Sequence, residues 1–349
     1  MITISTCMIV KNEERVLARC LDCVKSFSDE IIIIDTGSTD RTKEIAATYT
    51  DKLYDFEWCN DFSAARNFSF SKATMDYIYV ADADEIIDAD NQQRILDLKK
   101  VLLPEIEIVQ MYYTNQLEFG TTYNYDKEYR PKLVRRLREF HWQDPLHETL
   151  RIDPVIYDSE IAIIHKPHEN HSARDFANLQ ALITSGQKLS TALITMYAKE
   201  LFISGSDKDF LDAEDYFLTI SMDVLPEDLL APVQCVLTKC AVIRQDARAL
   251  LAPALKNLST GDGVSEVCTC LGQYYENCTN YPEAVLWYYN AAYETTSILS
   301  LDYGHRLPLE GLIRCYDSLG DTESAGHYES ELHRLSSVSF KPGRIARID

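Results

Sequence analysis

Basic residues are scarce in this chain of 349 residues, with 34 Lys and Arg against 55 Asp and Glu and a formal net charge of −21. Nucleic acids are bound through clustered cations that release counterions, so a nucleic-acid surface is excluded and adhesion to anionic lipid is disfavoured. Long hydrophobic runs are missing as well. No stretch of eighteen apolar residues occurs, which removes a transmembrane helix. The opening Met1–Val10 lacks the basic start and small-residue cleavage site of a signal peptide and reads as a strand, so a cytoplasmic location is expected. Glycine is sparse, and none lies in the first turn Val10-Lys-Asn-Glu-Glu14, which excludes the G-x-G-x-x-G of a nicotinamide-binding fold and leaves no Gly-rich triphosphate loop for a nucleotidyltransferase. Of ten cysteines only Cys20 and Cys23 have C-x-x-C spacing, and Cys268 and Cys270 cannot complete a zinc site with them; free core thiols are expected.

What is present is core material: 46% hydrophobic and 26% charged residues, enough for two domains at this length. Over residues 1 to about 90, β-branched runs alternate with helical periodicity. Thr3–Val10, Glu30–Ile34 and Tyr77–Ala81 read as strands, and Glu14–Lys25, Thr39–Tyr49 and Ser63–Lys72 as helices. Such a βαβαβ unit implies an open sheet whose ligands gather beyond the carboxyl ends of the strands. Glu107–Glu118, Tyr129–Leu137 and Ile156–Ile164 read as further strands. Beyond about residue 170 helical periodicity takes over.

That second half repeats. Leu271, Gly272, Tyr275, Ala284, Tyr288 and Ala291 occupy tetratricopeptide-repeat offsets, echoed by Tyr197, Ala213, Phe217 and Ile220 and by Leu312, Tyr316 and Ala325, with Gly320-Asp321 as a turn. The expected organisation is an α/β domain over 1–170, a linking helix over 171–190 and an all-α tetratricopeptide-like domain over 191–349. One basic cluster, Lys127, Arg130, Lys132, Arg135, Arg136 and Arg138, breaks the acidic background and fits either a local phosphate or acidic acceptor, or a solvated strand face.

Two carboxylate features carry chemistry. Tyr77-Ile-Tyr-Val-Ala-Asp82-Ala-Asp84-Glu85 ends an apolar strand in acids two residues apart, which in extended chain project to one side and suit Mg²⁺ or Mn²⁺ on a diphosphate. Asp35 ends the Ile31–Ile34 run before Thr36-Gly37-Ser38-Thr39-Asp40, where an acid either meets a nucleoside's donors or serves a helix-capping loop.

Ser5–Glu14, Ile32–Thr42, Asp61-Phe-Ser-Ala-Ala-Arg-Asn67 and Ala81–Glu85 follow, in order and spacing, the pattern of inverting glycosyltransferase family 2, and residues 1–170 resemble it. The resemblance implies a GT-A fold, a Rossmann-like nucleotide-binding sheet, that uses a nucleotide-diphosphate sugar such as a UDP-sugar and a divalent metal, Mn²⁺ or Mg²⁺. It places Val10, Asn12, Glu13 and Ala83 along the nucleotide-sugar site, with Asp35 on uracil or ribose and Arg66 toward the diphosphate. Asp82 falls near the ribose or the metal, and Asp84 on the metal.

Trp142-Gln-Asp-Pro-Leu-His147-Glu148 resembles a His-Glu segment of a subset of the family, which makes Glu148 the first candidate for the base that inversion requires and Asp144 the second. His165, ending an apolar strand in Ile-His-Lys-Pro-His168, is the favoured third metal ligand, with His147, His168 and His171 as rivals.

The helical tail resembles that of bacterial peptide-modifying transferases, including S-glycosyltransferases that act on cysteine of bacteriocin peptides. A peptide or protein acceptor receiving glucose or N-acetylglucosamine is therefore expected first, and a glycan or lipid-linked acceptor of cell-surface polysaccharide synthesis second. Stacked helix pairs also serve dimerisation, so a homodimer through the helical domain is expected too. The rival of another class is a non-catalytic interaction protein, against which Asp35, Arg66, Asp82 and Asp84 all stand intact.

Overall fold

The computed structural model describes residues 1–59, 61–115, 125, 127–138, 142–143, 149–150, 153–167, 172–260 and 263–338. Two compact units emerge, the first drawn from residues 1–170 and the second mainly from residues 171–349.

In the first unit an eight-stranded sheet runs β3-β2-β1-β4-β7-β6-β10-β5. Its parallel half comprises β1 (Ile4–Val10), β2 (Glu30–Asp35), β3 (Leu53–Asp55) and β4 (Tyr77–Ala81). Ile32, Ile33 and Ile34 are all fully buried, because helices cover both faces of a parallel sheet. The predicted alternation holds with one addition: β3 is three residues long, too short for periodicity to register. Val10 lies opposite Asp35, and Met8 opposite Ala81, so β1 and β2 end level, β4 ends two residues short of them, and the loops after all three open on the same side.

The first two helices start later than predicted. α1 spans Leu17–Val24 and α2 spans Thr42–Ala47, because the residues ahead of them lace two loops together. Asn12, at φ 57, donates its N–H to Ser38 Oγ at 2.9 Å and accepts the Thr39 N–H at 2.8 Å through Oδ1. The Glu13 N–H reaches Thr42 Oγ1 at 2.7 Å, and the Arg41 N–H reaches Glu14 Oε2 at 3.1 Å. α3 (Phe62–Lys72) is capped by Asp61, whose Oδ1 accepts the Ala64 N–H at 3.0 Å.

The mixed half comprises β5 (Glu85–Ile86), β6 (Ile108–Thr114), β7 (Glu128–Arg135) and β10 (Ile156–His165). α4 (Ala89–Val101) connects β5 to β6, while β8 (Trp142–Gln143) and β9 (Thr149–Leu150) pair with each other. β10 runs parallel to β6 and antiparallel to β5, which sets His165 opposite Glu85.

The second unit is all-α. It contains α5 (Ser172–Thr184), α6 (Thr191–Ser204), α7 (Asp207–Ser221), α8 (Glu227–Ile243), α9 (Ala247–Thr260), α10 (Ser265–Asn277), α11 (Tyr281–Tyr289), α12 (Arg306–Leu319) and α13 (Thr322–Val338). α6, α8, α10 and α12 pack side by side, with α7, α9, α11 and α13 against them, a tetratricopeptide-like arrangement. The best repeat match falls on α10 and α11. Tyr288, fully buried, fills the gap where two helices lack side chains: a Cβ on Gly272 would lie 2.6 Å from its ring, and one on Gly311 2.4 Å. Gly320, at φ +78, ends α12 in the left-handed conformation. Among the described residues no helix is long and apolar enough to cross a membrane.

Candidate functional site

Asp35 closes β2 and is 1% exposed. Its Oδ1 accepts the N–H groups of Gly37 and Ser38 at 3.0 and 2.9 Å, with Gly37 at φ 100, so the loop-building role is real. Its Oδ2 is buried and accepts no hydrogen bond among the described residues. One carboxylate thus holds a turn and still offers a desolvated acceptor. An orphan of this kind costs free energy unless a ligand satisfies it.

Beyond β4, Asp82 lies between two cations. Arg66 Nη2, from α3, stands 3.3 Å from its Oδ1, and Lys132 Nζ, from β7, stands 3.9 Å from its Oδ2. Burial raises the carboxyl, but the Lys132 ammonium and the Arg66 guanidinium outweigh it and hold Asp82 down at about 2. Arg66 Nη1 is buried and donates no hydrogen bond among the described residues, leaving a directed donor for an anion.

Lys132 is the residue that the sequence misplaced. It is 3% exposed, turned into the sheet, with Nζ 2.6 Å from Glu85 Oε1 and over the Tyr79 and Tyr113 rings at 5.6 and 5.5 Å. Glu85 is 1% exposed; burial, reinforced by the Asp82 charge, pushes its carboxyl up to about 8 against the pull of Lys132. The other members of the basic cluster scatter rather than form one anion-binding patch. Arg130 lies 4.1 Å over the Tyr113 ring, Arg136 Nε donates to the Met75 carbonyl at 2.6 Å, and Arg138 Nε pairs with Glu107 at 3.0 Å. No sequence signal marked Lys132: the β7 pairing is irregular at this point, with Val109 opposite Leu133 and Gln110 opposite Pro131, and Lys132 and Leu133 are both buried.

Of the three candidate metal ligands, two meet. Asp84 Oδ2 and His165 Nε2 are 3.2 Å apart across 81 residues of sequence, with side chains 16% and 15% exposed. Asp84 Oδ1 is buried and without a hydrogen-bond partner among the described residues. The pairing is built by backbone: β5–β10 register, the Lys166 N–H donating to the Asp84 carbonyl at 3.0 Å, and Arg19 Nη2 donating to the Lys166 carbonyl at 2.8 Å. Asp82 turns instead to its cations. Among the described residues no group of three or more His, Cys, Asp or Glu is placed to hold a metal. A carboxylate with a buried, partnerless oxygen beside an imidazole would nonetheless fit part of the shell of a divalent cation that also holds a diphosphate.

Val10 and Ala83, 2% and 5% exposed, flank these groups at the strand ends, and Asn12 and Glu13 lie in the laced loop beside Asp35. Asp144, His147, Glu148, His168 and His171 lie outside the described residues. The ten cysteines are free thiols, seven of them buried.

The open α/β sheet thus carries an acid closing β2, an arginine on α3, paired acids after β4 and a histidine closing β10. Residues 5–150 match Glycosyl transferase family 2, and the first unit carries a domain of that family. Among curated proteins the chain is 27% identical over 226 residues to the SPbeta prophage-derived glycosyltransferase SunS of Bacillus subtilis, covering 60% of this chain and 52% of that one. It is 52% identical over 85 residues to a TPR repeat-containing protein of Synechococcus elongatus, covering 24% of this chain and 21% of the other. The chain therefore spans about half the length of the first relative and about a fifth of the second. Among solved structures it is similar to glucosyl-3-phosphoglycerate synthase of Mycobacterium tuberculosis in complex with Mn²⁺ and UDP-glucose, at TM-score 0.37 and 16% identity, covering 54% of this chain and 81% of that chain.

Proposed function

We propose that this protein is an inverting, divalent-metal-dependent glycosyltransferase that moves a sugar, glucose or N-acetylglucosamine, from a UDP-sugar to a peptide or protein acceptor in the cytoplasm. The observation that supports this reading best is the meeting of Asp84 and His165 beside the Arg66–Asp82 pair, just beyond the carboxyl end of β4. In this reading residues 1–170 are the catalytic domain, 171–190 a linking helix, and 191–349 the domain that receives the acceptor.

Asp35 Oδ2 accepts a donor from uracil or ribose, with Val10, Asn12 and Glu13 along the nucleoside and Asp82 and Ala83 beside the ribose. Asp84 and His165 hold the cation, which when bound supplies positive charge to the diphosphate leaving group. Arg66 adds a directed guanidinium to the same oxygens, and electrostatic stabilisation of developing charge of this sort is the largest contribution available to a site without a covalent step. Glu148, or Asp144 in its place, takes the acceptor's proton on the sugar face opposite the departing UDP, as inversion demands.

The test is release of UDP from UDP-glucose and UDP-N-acetylglucosamine, with Mn²⁺, Mg²⁺ or EDTA. Metal-dependent binding and slow hydrolysis of one donor are expected, with Glu148→Gln retaining donor affinity while losing transfer. If neither donor is bound or hydrolysed under any condition, the enzymatic reading fails.

A further inference from the structure

Helix α1 buries Leu17, Cys20, Leu21 and Val24 in the core of the first unit and leaves Arg19 half-buried at the edge of that stripe. From there two consecutive side chains reach the loop that carries the acids. Cys20 Sγ donates to the Asp82 carbonyl at 3.2 Å, while Arg19 Nη2 donates to the Lys166 carbonyl at 2.8 Å and, more weakly, to the Asp84 carbonyl at 3.4 Å. The Lys166 N–H donates to the same Asp84 carbonyl at 3.0 Å. One guanidinium and three backbone groups thus close a ring that joins Asp84 to the residue following His165. The His165 carbonyl is held separately, by Asn115 Nδ2 at 3.1 Å.

The ring lies where the sheet is weakest. β5 and β10 pair through only two residue pairs, Ile86 with Ile164 and Glu85 with His165, and beyond the last of them the chain leaves the ladder. Strand ends with so few hydrogen bonds fray unless something outside the ladder ties them. Arg19 is that tie, and its own bonding shows the cost. Its Nε is buried and donates no hydrogen bond among the described residues, although an arginine in water satisfies all five of its N–H groups. Its acceptors among the described residues are neutral carbonyls, so no charge-assisted pairing accounts for its place. What the guanidinium does fix is the backbone on both sides of the Asp84 Oδ2–His165 Nε2 approach at 3.2 Å.

We propose that Arg19 is a positioning residue for the divalent cation: by tying the Asp84 and Lys166 carbonyls to α1, it holds the Asp84 carboxylate and the His165 imidazole as a preformed pair. The inference rests on the assignment of those two residues to the cation in the proposed function. Groups that orient metal ligands from behind are worth roughly 10–100-fold in metal affinity. The sign of the effect separates positioning from electrostatics. A guanidinium beside a cation site repels the cation, so charge alone makes removal of Arg19 tighten the metal, whereas loss of positioning loosens it.

The experiment measures Mn²⁺ binding to the full chain in the presence of UDP, by loss of the free-ion signal in electron paramagnetic resonance, for wild type, Arg19→Met, Arg19→Lys and Asp84→Asn. Arg19→Met is expected to weaken Mn²⁺ about tenfold or more. Arg19→Lys recovers part of that loss, since an ammonium can donate to the same carbonyls with shorter reach. In parallel UDP-release assays the Mn²⁺ concentration for half-maximal rate should rise with the dissociation constant, while the rate at saturating Mn²⁺ falls less. A role confined to folding would instead lower the unfolding temperature of the metal-free protein and leave the Mn²⁺ affinity of its folded fraction unchanged. Where Arg19→Met does not fold, Arg19→Gln, polar but too short to reach the carbonyls, takes its place with the same expectation. Unchanged or tighter Mn²⁺ binding by these variants, with Asp84→Asn binding weakened, overturns the positioning role and spares the metal assignment. If wild type binds no Mn²⁺, or Asp84→Asn binds it as wild type does, the metal assignment fails and the positioning role falls with it.

Discussion

Lys132→Met is the most informative single change in the first unit. Its ammonium sits 2.6 Å from Glu85 Oε1 with both side chains essentially out of water, 4% and 1% exposed, whereas the Arg66–Asp82 pair is 30% and 41% exposed. Removing one partner of a buried pair costs roughly 3–5 kcal/mol, because the remaining charge is stranded, while an exposed pair contributes about 1 kcal/mol or less. Glu85 can relieve part of its loss by holding a proton, since burial already pushes its carboxyl up, so about 3 kcal/mol is the expectation for Lys132→Met and under ~1 kcal/mol for Arg66→Met. Glu85→Gln removes the stranded acid, so the double variant should be less destabilised than the sum of the singles by about 2 kcal/mol. Urea denaturation in a Trp287→Phe background isolates this unit, because the two remaining tryptophans, Trp58 and Trp142, both precede residue 170. With a slope of about 2 kcal/mol per molar, Lys132→Met should lower the midpoint by roughly 1.5 M. Additivity within ~0.5 kcal/mol, or an equal loss for Arg66→Met, would refute the claim that burial decides between the two pairs.

Asp84→Asn should abolish metal-stimulated UDP release while leaving the thermal unfolding temperature of the metal-free protein unchanged or raised, since it relieves a buried acid; an active Asp84→Asn removes that residue from the metal assignment. Gly311→Ala should destabilise the helical unit by about 1–3 kcal/mol through overpacking against Tyr288, measured as a lower midpoint in calorimetry, and an unchanged midpoint would show that the ring has room to move. Glu30 is 2% exposed and accepts from the Lys52 ammonium, the Ser5 hydroxyl and the Thr74 N–H and hydroxyl. Burial raises its carboxyl, but these donors prevail and its pKa is lowered in the fold. Its stabilisation is therefore present above the unfolded value near ~4.3 and lost as pH falls through the lowered one. The stability gap between wild type and Glu30→Gln should close below about pH 4, and a gap constant with pH contradicts the assignment.

Much of this was legible in the residues. Continuous apolar runs ending in Asp35 and Asp82 located the strands and the side on which ligands gather, because a parallel strand buried on both faces is mostly apolar. The tetratricopeptide offsets located Gly272 and Tyr288, since close helix approach constrains residue size at fixed spacing. Three things were hidden. Leu53–Asp55 was too short to show a period. Glu14 and Arg41 read as helix because propensity ignores the loop-to-loop hydrogen bonds that claimed them. Lys132 counted as one more surface cation, since composition registers charge and not direction.

The β10 strand gives the site an order of assembly. It lies between β6 and β5, and it alone brings His165 to Asp84, yet it begins at residue 156, after the end of the matched family segment at residue 150. A ribosome must therefore deliver the last strand some eighty residues after the acids it completes, and until then β6 presents an unpaired edge. A fragment cut at the family boundary would keep every acidic motif but expose that edge to other chains, so it should aggregate rather than behave as a smaller enzyme.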